Sequence, residues 1–185
     1  LESAPVARNI EAILNILEPS DAFINTLKNL IDKTSCGFRF VKTEDGWLTY
    51  PTSETELDSN LVEPVLSYLE GQALEEFTMA LRLSKSKSES VLVSEKTRRT
   101  LEEYLRHKLG TRKGLTNAID ELGQVLKAGK VSDPIRSMII NELKALDTHY
   151  NDSSKHNSKT ERIESEYLVY KVANLIRLVN EAVAD

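Results

Sequence analysis

Residues 147–159, DTHYNDSSKHNSK, hold two of the chain's three histidines, His149 and His156, with Asn151, Asp152 and Lys155 and almost nothing apolar. Histidine titrates near neutral pH and can move the proton of a hydroxyl group. Lysine can steady charge that develops on a phosphate, and an asparagine amide can orient a substrate. Asn151, Lys155 and His156 supply these residue types within six positions, a set suited to anion or RNA chemistry in which a histidine moves the proton of a ribose 2′-hydroxyl. If the segment were helical, His149, Asp152 and His156 would fall at i, i+3 and i+7, a His/Asp metal set. Asn, Asp and Ser-Ser compete for backbone hydrogen bonds. The sequence therefore predicts that the chain leaves its helix here and that no metal centre forms. The plainer reading is an interhelix loop whose side chains cap helix ends, with His156 bonded to backbone; residue types alone favour it.

A second candidate is the basic run KTRRTLEEYLRHKLGTRK. Formal net charge is −5, which argues against a general nucleic-acid binder, but the charge is unevenly spread. Residues 1–84 carry six basic and fourteen acidic side chains, and residues 85–114 carry nine basic and four acidic. Arg99 and Arg106 are a heptad apart, with Arg98 and Lys108 close by. Together with His149 they are the candidate RNA-binding residues, a stripe that could track phosphates. The alternative is a solvated helix face with ion pairs to Glu95, Glu102 and Glu103, and Arg99 with Glu103 is one such i,i+4 pair. There is no Gly-rich phosphate loop, no recognisable Ser-His-Asp constellation and no HExxH, so no cofactor is expected. Cys36 is the only cysteine, which favours a reducing, cytoplasmic compartment. No apolar run approaches the roughly 18 residues of a membrane span. The chain opens on Leu1, so a missing N-terminal or removed targeting segment stays open.

The elements that must position these residues are mostly helices. Val6, Ile10, Ile13, Leu14 and Leu17 have helical spacing; Pro19 ends that helix and Ser20 caps a second carrying Phe23, Ile24, Leu27, Leu30 and Ile31. Residues 36–51 alternate as a strand, turn at Asp45-Gly46 and continue through Trp47 to Tyr50, a small hairpin with Trp47 as packing anchor. Residues 51–60 are a polar linker. Everything beyond reads as helix: 61–70, then 72–83, then 90–109 with Leu92, Leu101, Tyr104, Leu105 and Leu109, then 114–128, then a helix opened by Asp133-Pro134, and a last one over about 160–183. Tyr104, Tyr150, Tyr167 and Tyr170 are expected in the core or at its edge. The expected fold is mainly α, an antiparallel helical bundle with a small β-hairpin near the N-terminus. The expected divisions are 1–50, the linker 51–60, and a bundle over 61–185.

From about residue 60 onward, some two-thirds of the chain, the sequence resembles a helical region of bacterial abortive-infection, phage-resistance proteins. The resemblance is carried by PVLSYLEGQALEEFTMAL, by TRRTLEEYLRHKLGTRKGLTNAIDELGQVLK, and by IRSMIINELKALDTHYNDSSKHN before ESEYLVYKVANLIRLVNEAV. Its most specific part is the Tyr-Asn…Lys-His segment. The layout is also similar to the HEPN superfamily, helical and commonly homodimeric domains of toxins and antiviral systems. Many are metal-independent RNases with an Arg-x4-6-His motif before the last helix. The resemblance gives His156 the histidine position. Asn151 stands where the arginine belongs, and no Arg lies between Arg136 and Arg162. It implies a phage-defence module that binds RNA. Such a module either cleaves it through His156, Lys155 and Asn151, or is a non-catalytic domain whose polar loop is structural or contacts a protein partner.

Overall fold

Pro19 and Ser20 separate the first two helices, α1 (Ser3–Leu17) and α2 (Asp21–Thr34). Glu18 turns the chain with a left-handed φ of 43°. Ser20 then starts α2: its Oγ accepts the Phe23 N–H at 3.4 Å and its carbonyl accepts the Ile24 N–H at 3.0 Å. Strands β1 (Phe38–Thr43) and β2 (Gly46–Pro51) follow and pair antiparallel, Phe38 opposite Pro51 and Thr43 opposite Gly46. The turn is at Glu44-Asp45, one residue before the expected pair, and Gly46 supplies the positive φ of 122°. A π-helical turn (Asp58–Val62) leads into a short helix α3 (Glu63–Tyr68). The computed structural model describes residues 3–34, 36–52, 58–84, 90–156 and 162–183, with side chains for all but 3–4, 58–59, 90, 152–156 and 162–163.

The chain divides into two compact units, Leu1–Glu70 and Gly71–Asp185. The division falls later than the polar 51–60 stretch. In the first unit Ala7 and Leu14 of α1, Ile24 and Ile31 of α2, and Phe38 and Phe40 of β1 form one core, with Ile10, Leu27, Cys36 and Trp47 packed against it. Phe40 and Trp47 meet edge to face at 5.6 Å, so Trp47 anchors the hairpin as expected.

A lone hairpin exposes unpaired backbone along both edges. Here α1 covers the outer edge of β2. The Asn15 amide accepts the Trp47 N–H at 2.7 Å and donates to the Trp47 carbonyl at 2.8 Å. One turn earlier, Glu11 accepts both the Thr49 N–H at 2.6 Å and the Thr49 hydroxyl at 2.5 Å. One helical turn of four residues advances about 6 Å and two strand residues about 6.6 Å. The two repeats therefore match, and α1 replaces a third strand with side chains. On the other side of the hairpin, Arg39 of β1 joins Asp32 of α2 at 2.7 Å to Glu63 of α3 at 3.2 Å.

The second unit holds α4 (Gly71–Leu83), α5 (Ser90–Leu109), α6 (Leu115–Ala128), α7 (Asp133–His156) and α8 (Arg162–Val183). Among the described residues there are eight α-helices and one two-stranded hairpin, so the fold is the expected mainly α bundle with a small hairpin. Helix α5 is central and packs on α4, α6, α7 and α8. Helices α6 and α7 run antiparallel, since Thr116 bonds Asp147 while Gly123 lies beside Ile140. Helix α8 runs alongside α5 in the same direction: Tyr104 Oη donates to the Ile176 carbonyl at 3.3 Å, and one turn on Lys108 Nζ donates to Asn180 Oδ1 at 2.9 Å. Helix α5 ends as a Schellman motif on Gly110, φ 63°, with Gly110 N–H on the His107 carbonyl and Thr111 N–H on the Arg106 carbonyl.

Three expectations change. The chain does not leave its helix at Asn151; α7 runs through His156. Leu143, Leu146 and Tyr150 are buried at helical spacing, and that packing outweighs weak local propensity. In α5, Val93 is buried and Leu92 is 43% exposed. The inner face passes through Thr97 and Thr100, whose hydroxyls donate to the Val93 and Lys96 carbonyls of their own helix and so behave as apolar groups. Tyr104 and Tyr150 are buried, but Tyr167 is 60% exposed.

Candidate functional site

The site is built where the first half of α5 meets the last turns of α7. Tyr150 is buried, and its hydroxyl donates to Thr97 Oγ1 at 3.3 Å. Thr97 donates in turn to the Val93 and Ser94 carbonyls at 2.9 and 3.0 Å. Burial holds the Tyr150 phenol well above its usual range; the hydrogen bond to Thr97 and the nearby Arg98 charge oppose this only in part. His149 stacks edge-on against Tyr150 at 5.8 Å, and its Nε2 is buried without a hydrogen-bond partner. A second orphan, the Ser165 hydroxyl of α8, is fully buried and also lacks a hydrogen-bond partner. Two buried polar atoms without partners, on two helices that both pack on α5, are uncommon in native interiors.

The basic residues of α5 are not gathered on one face. Arg98 pairs with Glu102 at 2.8 Å. Arg99 pairs with Glu95 at 2.6 Å and reaches Glu76 of α4 at 3.6 Å. Arg106 pairs with Glu103 at 2.6 Å and donates through Nε to the Lys113 carbonyl at 3.2 Å. Lys108 turns to Asn180 of α8. The sequence pairing of Arg99 with Glu103 gives way to Glu95–Arg99, in which the glutamate is N-terminal, the stronger i,i+4 orientation. Of these, Arg98 lies near enough for its charge to act on the Tyr150 phenol.

Asn151 is exposed on α7. Lys155 and His156 occupy the last turn of that helix, and their side chains lie outside the described residues, as does Asp152 of the His/Asp set. Among the described residues no group of three or more His, Cys, Asp or Glu could hold a metal ion, and no helix is long and apolar enough to cross a membrane.

Sequence reasoning missed the buried Glu76. It sits 2.7 Å from Lys96 Nζ, an ion-pair distance without hydrogen-bond alignment at Oε2. Its only signal is a glutamate inside the apolar run ALEEFTMAL. A groove between α6 and α7, lined by Gly123, Gln124, Lys127, Arg136, Ser137 and Asn141 among others, contains none of the predicted site residues. Comparison with family models, with curated proteins and with solved structures found no match.

Proposed function

We propose that the chain is a HEPN-like helical module of bacterial phage defence that engages RNA through the end of α7. The observation that supports this reading is the unbroken course of α7 through Asn151 to His156. Continuous helix sets positions 151 and 155 one turn apart and carries position 156 next to them. In the catalytic form of this reading, His156 acts as general acid or base on the ribose 2′-hydroxyl, Lys155 steadies the phosphate and Asn151 orients it. Homodimerisation would bring two such ends together.

A second reading is a non-catalytic interaction or sensing module. It is favoured by the engagement of Arg98, Arg99 and Arg106 with glutamates at 2.6 to 2.8 Å, which leaves α5 poorly disposed to take phosphates. The two readings separate in one experiment: cleavage of end-labelled single-stranded RNA by the purified chain in EDTA, beside His156→Ala. Cleavage that disappears in the variant supports the nuclease. RNA retention without cleavage, lost on Lys155→Ala, supports an RNA-binding module. Neither cleavage nor retention across several RNAs removes the RNA reading and leaves the interaction module.

A further inference from the structure

The groove between α6 and α7 has a volume of about 410 Å³, within the range of small-ligand sites. The two helices run antiparallel with Gly123 beside Ile140, and this register gives the groove unlike ends. One turn from that contact, toward the interhelix turn, stand Lys127 and Arg136, with Ser137 next to them. At the level of the contact stand the amides of Gln124 and Asn141. The side chains of Gln124, Lys127, Ser137 and Asn141 have no hydrogen bond or ion pair among the described residues. Arg136 is already held in place: its guanidinium meets Asp133 at 2.6 Å and donates to the Val131 carbonyl at 3.3 Å, which leaves N–H donors of its fork unused. Gly123 lines the groove inside α6, where glycine costs about 1 kcal/mol relative to alanine. Packing does not require it, since a Cβ there would meet only Ile140 Cδ1 at 3.9 Å. Its effect is to leave the groove open.

We propose that this groove binds a small sugar phosphate. The phosphate lies at the cationic end, where Lys127 supplies a mobile charge, Arg136 a fixed one and Ser137 a hydroxyl donor. One helical turn away, about 6 Å, the sugar hydroxyls meet Gln124 and Asn141. A side-chain amide offers both a donor and an acceptor, and so does a hydroxyl, so the two match. A nucleobase fits less well, because no aromatic side chain lines the groove to stack on it. A nucleic-acid strand also fits less well, because it needs cations along its whole path. Here the positive charge sits at one end; a turn beyond the amides, Asp120 of α6 and Lys144 of α7 offset one another. The inference is independent of the RNA reading, which uses the far end of α7. An open groove of this kind holds its ligand with a Kd on the order of 0.1–1 mM.

Calorimetric titration of the full chain with ribose 5-phosphate tests this, beside ribose, inorganic phosphate and adenosine monophosphate. Saturable binding is expected for the sugar phosphate. Ribose and inorganic phosphate each engage one end and should bind about tenfold or more weakly; the nucleotide should bind no more tightly than the sugar phosphate. Lys127→Ala should weaken binding about tenfold or more with unchanged helicity and thermal midpoint, because the side chain is exposed and has no partner among the described residues. Gly123→Ala should raise the thermal midpoint of the free chain, since alanine is the better helix former, and weaken binding because its methyl enters the groove. Absence of saturable binding by the sugar phosphate up to about ten times the expected Kd overturns the proposal, and so does binding indifferent to Lys127→Ala. Inorganic phosphate bound as tightly as the sugar phosphate overturns the role of the amide end. A nucleotide bound more tightly, or single-stranded RNA that displaces the sugar phosphate, overturns the choice of ligand.

Discussion

Helices α1 and α5 both bury one side and expose the other, but they complete those sides by opposite means. The inner side of α5 is volume: Val93, Leu101 and Leu105, with threonines whose hydroxyls are satisfied within the helix. Its outer side is charge, and its arginines are matched by glutamates one turn away or on α4. The inner side of α1 combines a few apolar contacts with hydrogen bonds to a strand edge, and its outer side is apolar and bare. Among the described residues the outer arginines of α5 have carboxylate partners, and the outer apolar side chains of α1 are exposed. An anionic ligand on α5 must displace carboxylates from Arg98, Arg99 and Arg106, whereas the outer stripe of α1 holds no ion pair to break.

The inner faces give the largest effects. Leu101 is buried to 1% exposure at the middle of the central helix. Leu101→Ala should destabilise the protein by about 2–5 kcal/mol, read as a lower urea midpoint with an unchanged slope. On α1 the critical inner contact is polar. Glu11→Ala removes the acceptor of two Thr49 donors, one of them a hydroxyl on a buried residue, and should cost about 1.5–3 kcal/mol. Because the loss is local, it is best read as faster hydrogen exchange at the Thr49 amide. Glu11→Gln, which retains an acceptor, should lose less. If Leu101→Ala and Glu11→Ala change exchange equally throughout both units, the contrast between volume and edge capping fails.

Tyr150 belongs to the inner side but titrates. Its folded pKa is raised by burial, so the stability it contributes is fully present below the unfolded tyrosine value of about 10. That stability declines as pH rises further, because the unfolded chain can ionise where the folded one resists. Tyr150→Phe should cost about 1 kcal/mol at neutral pH for the hydrogen bond to Thr97. It should also flatten the alkaline loss of stability relative to wild type. A parallel alkaline slope in the variant would show that Tyr150 ionises freely in the fold.

What the sequence made legible follows the distance over which each interaction acts. The hairpin, the Ser20 start of α2 and the pairing of α5's arginines with Glu95, Glu102 and Glu103 are all local and were readable, although Arg99 takes Glu95 and not Glu103 and also reaches the distant Glu76. The capping of β2 by Glu11 and Asn15 joins positions 38 and 32 residues apart, and nothing in either segment announces it. Thr97 and Thr100 hid the inner face of α5 because polar residue types were serving as apolar ones. The course of α7 past Asn151 was misread because its propensity is local while the burial of Tyr150 is not. At the candidate site, the residue types of 147–156 stood out from the sequence, whereas the meeting of Tyr150 with Thr97 and the buried orphan atoms of His149 and Ser165 required the fold.

The outer face of α5 should give the smallest response, and the size of that response tests whether its surface is finished pair by pair. Arg106 and Glu103 are a partly exposed i,i+3 pair. Such pairs are worth roughly 0–1 kcal/mol and are screened by salt, so Arg106→Ala should change stability by less than about 0.5 kcal/mol, and less still in high salt. Arg99 is different in one respect. Besides Glu95 it reaches Glu76, which is 8% exposed and also paired with Lys96. A buried carboxylate that loses one of two cations is less well compensated, and Arg99→Ala should therefore exceed Arg106→Ala, at roughly 0.5–1 kcal/mol, with weaker salt dependence. Equal effects would make Glu76 indifferent to Arg99 and leave the face a set of independent pairs. A larger effect at Arg99 that persists in salt would tie the outer charges of α5 to its packing against α4, and would mark this as the part of the basic segment least free to leave its carboxylates for a phosphate.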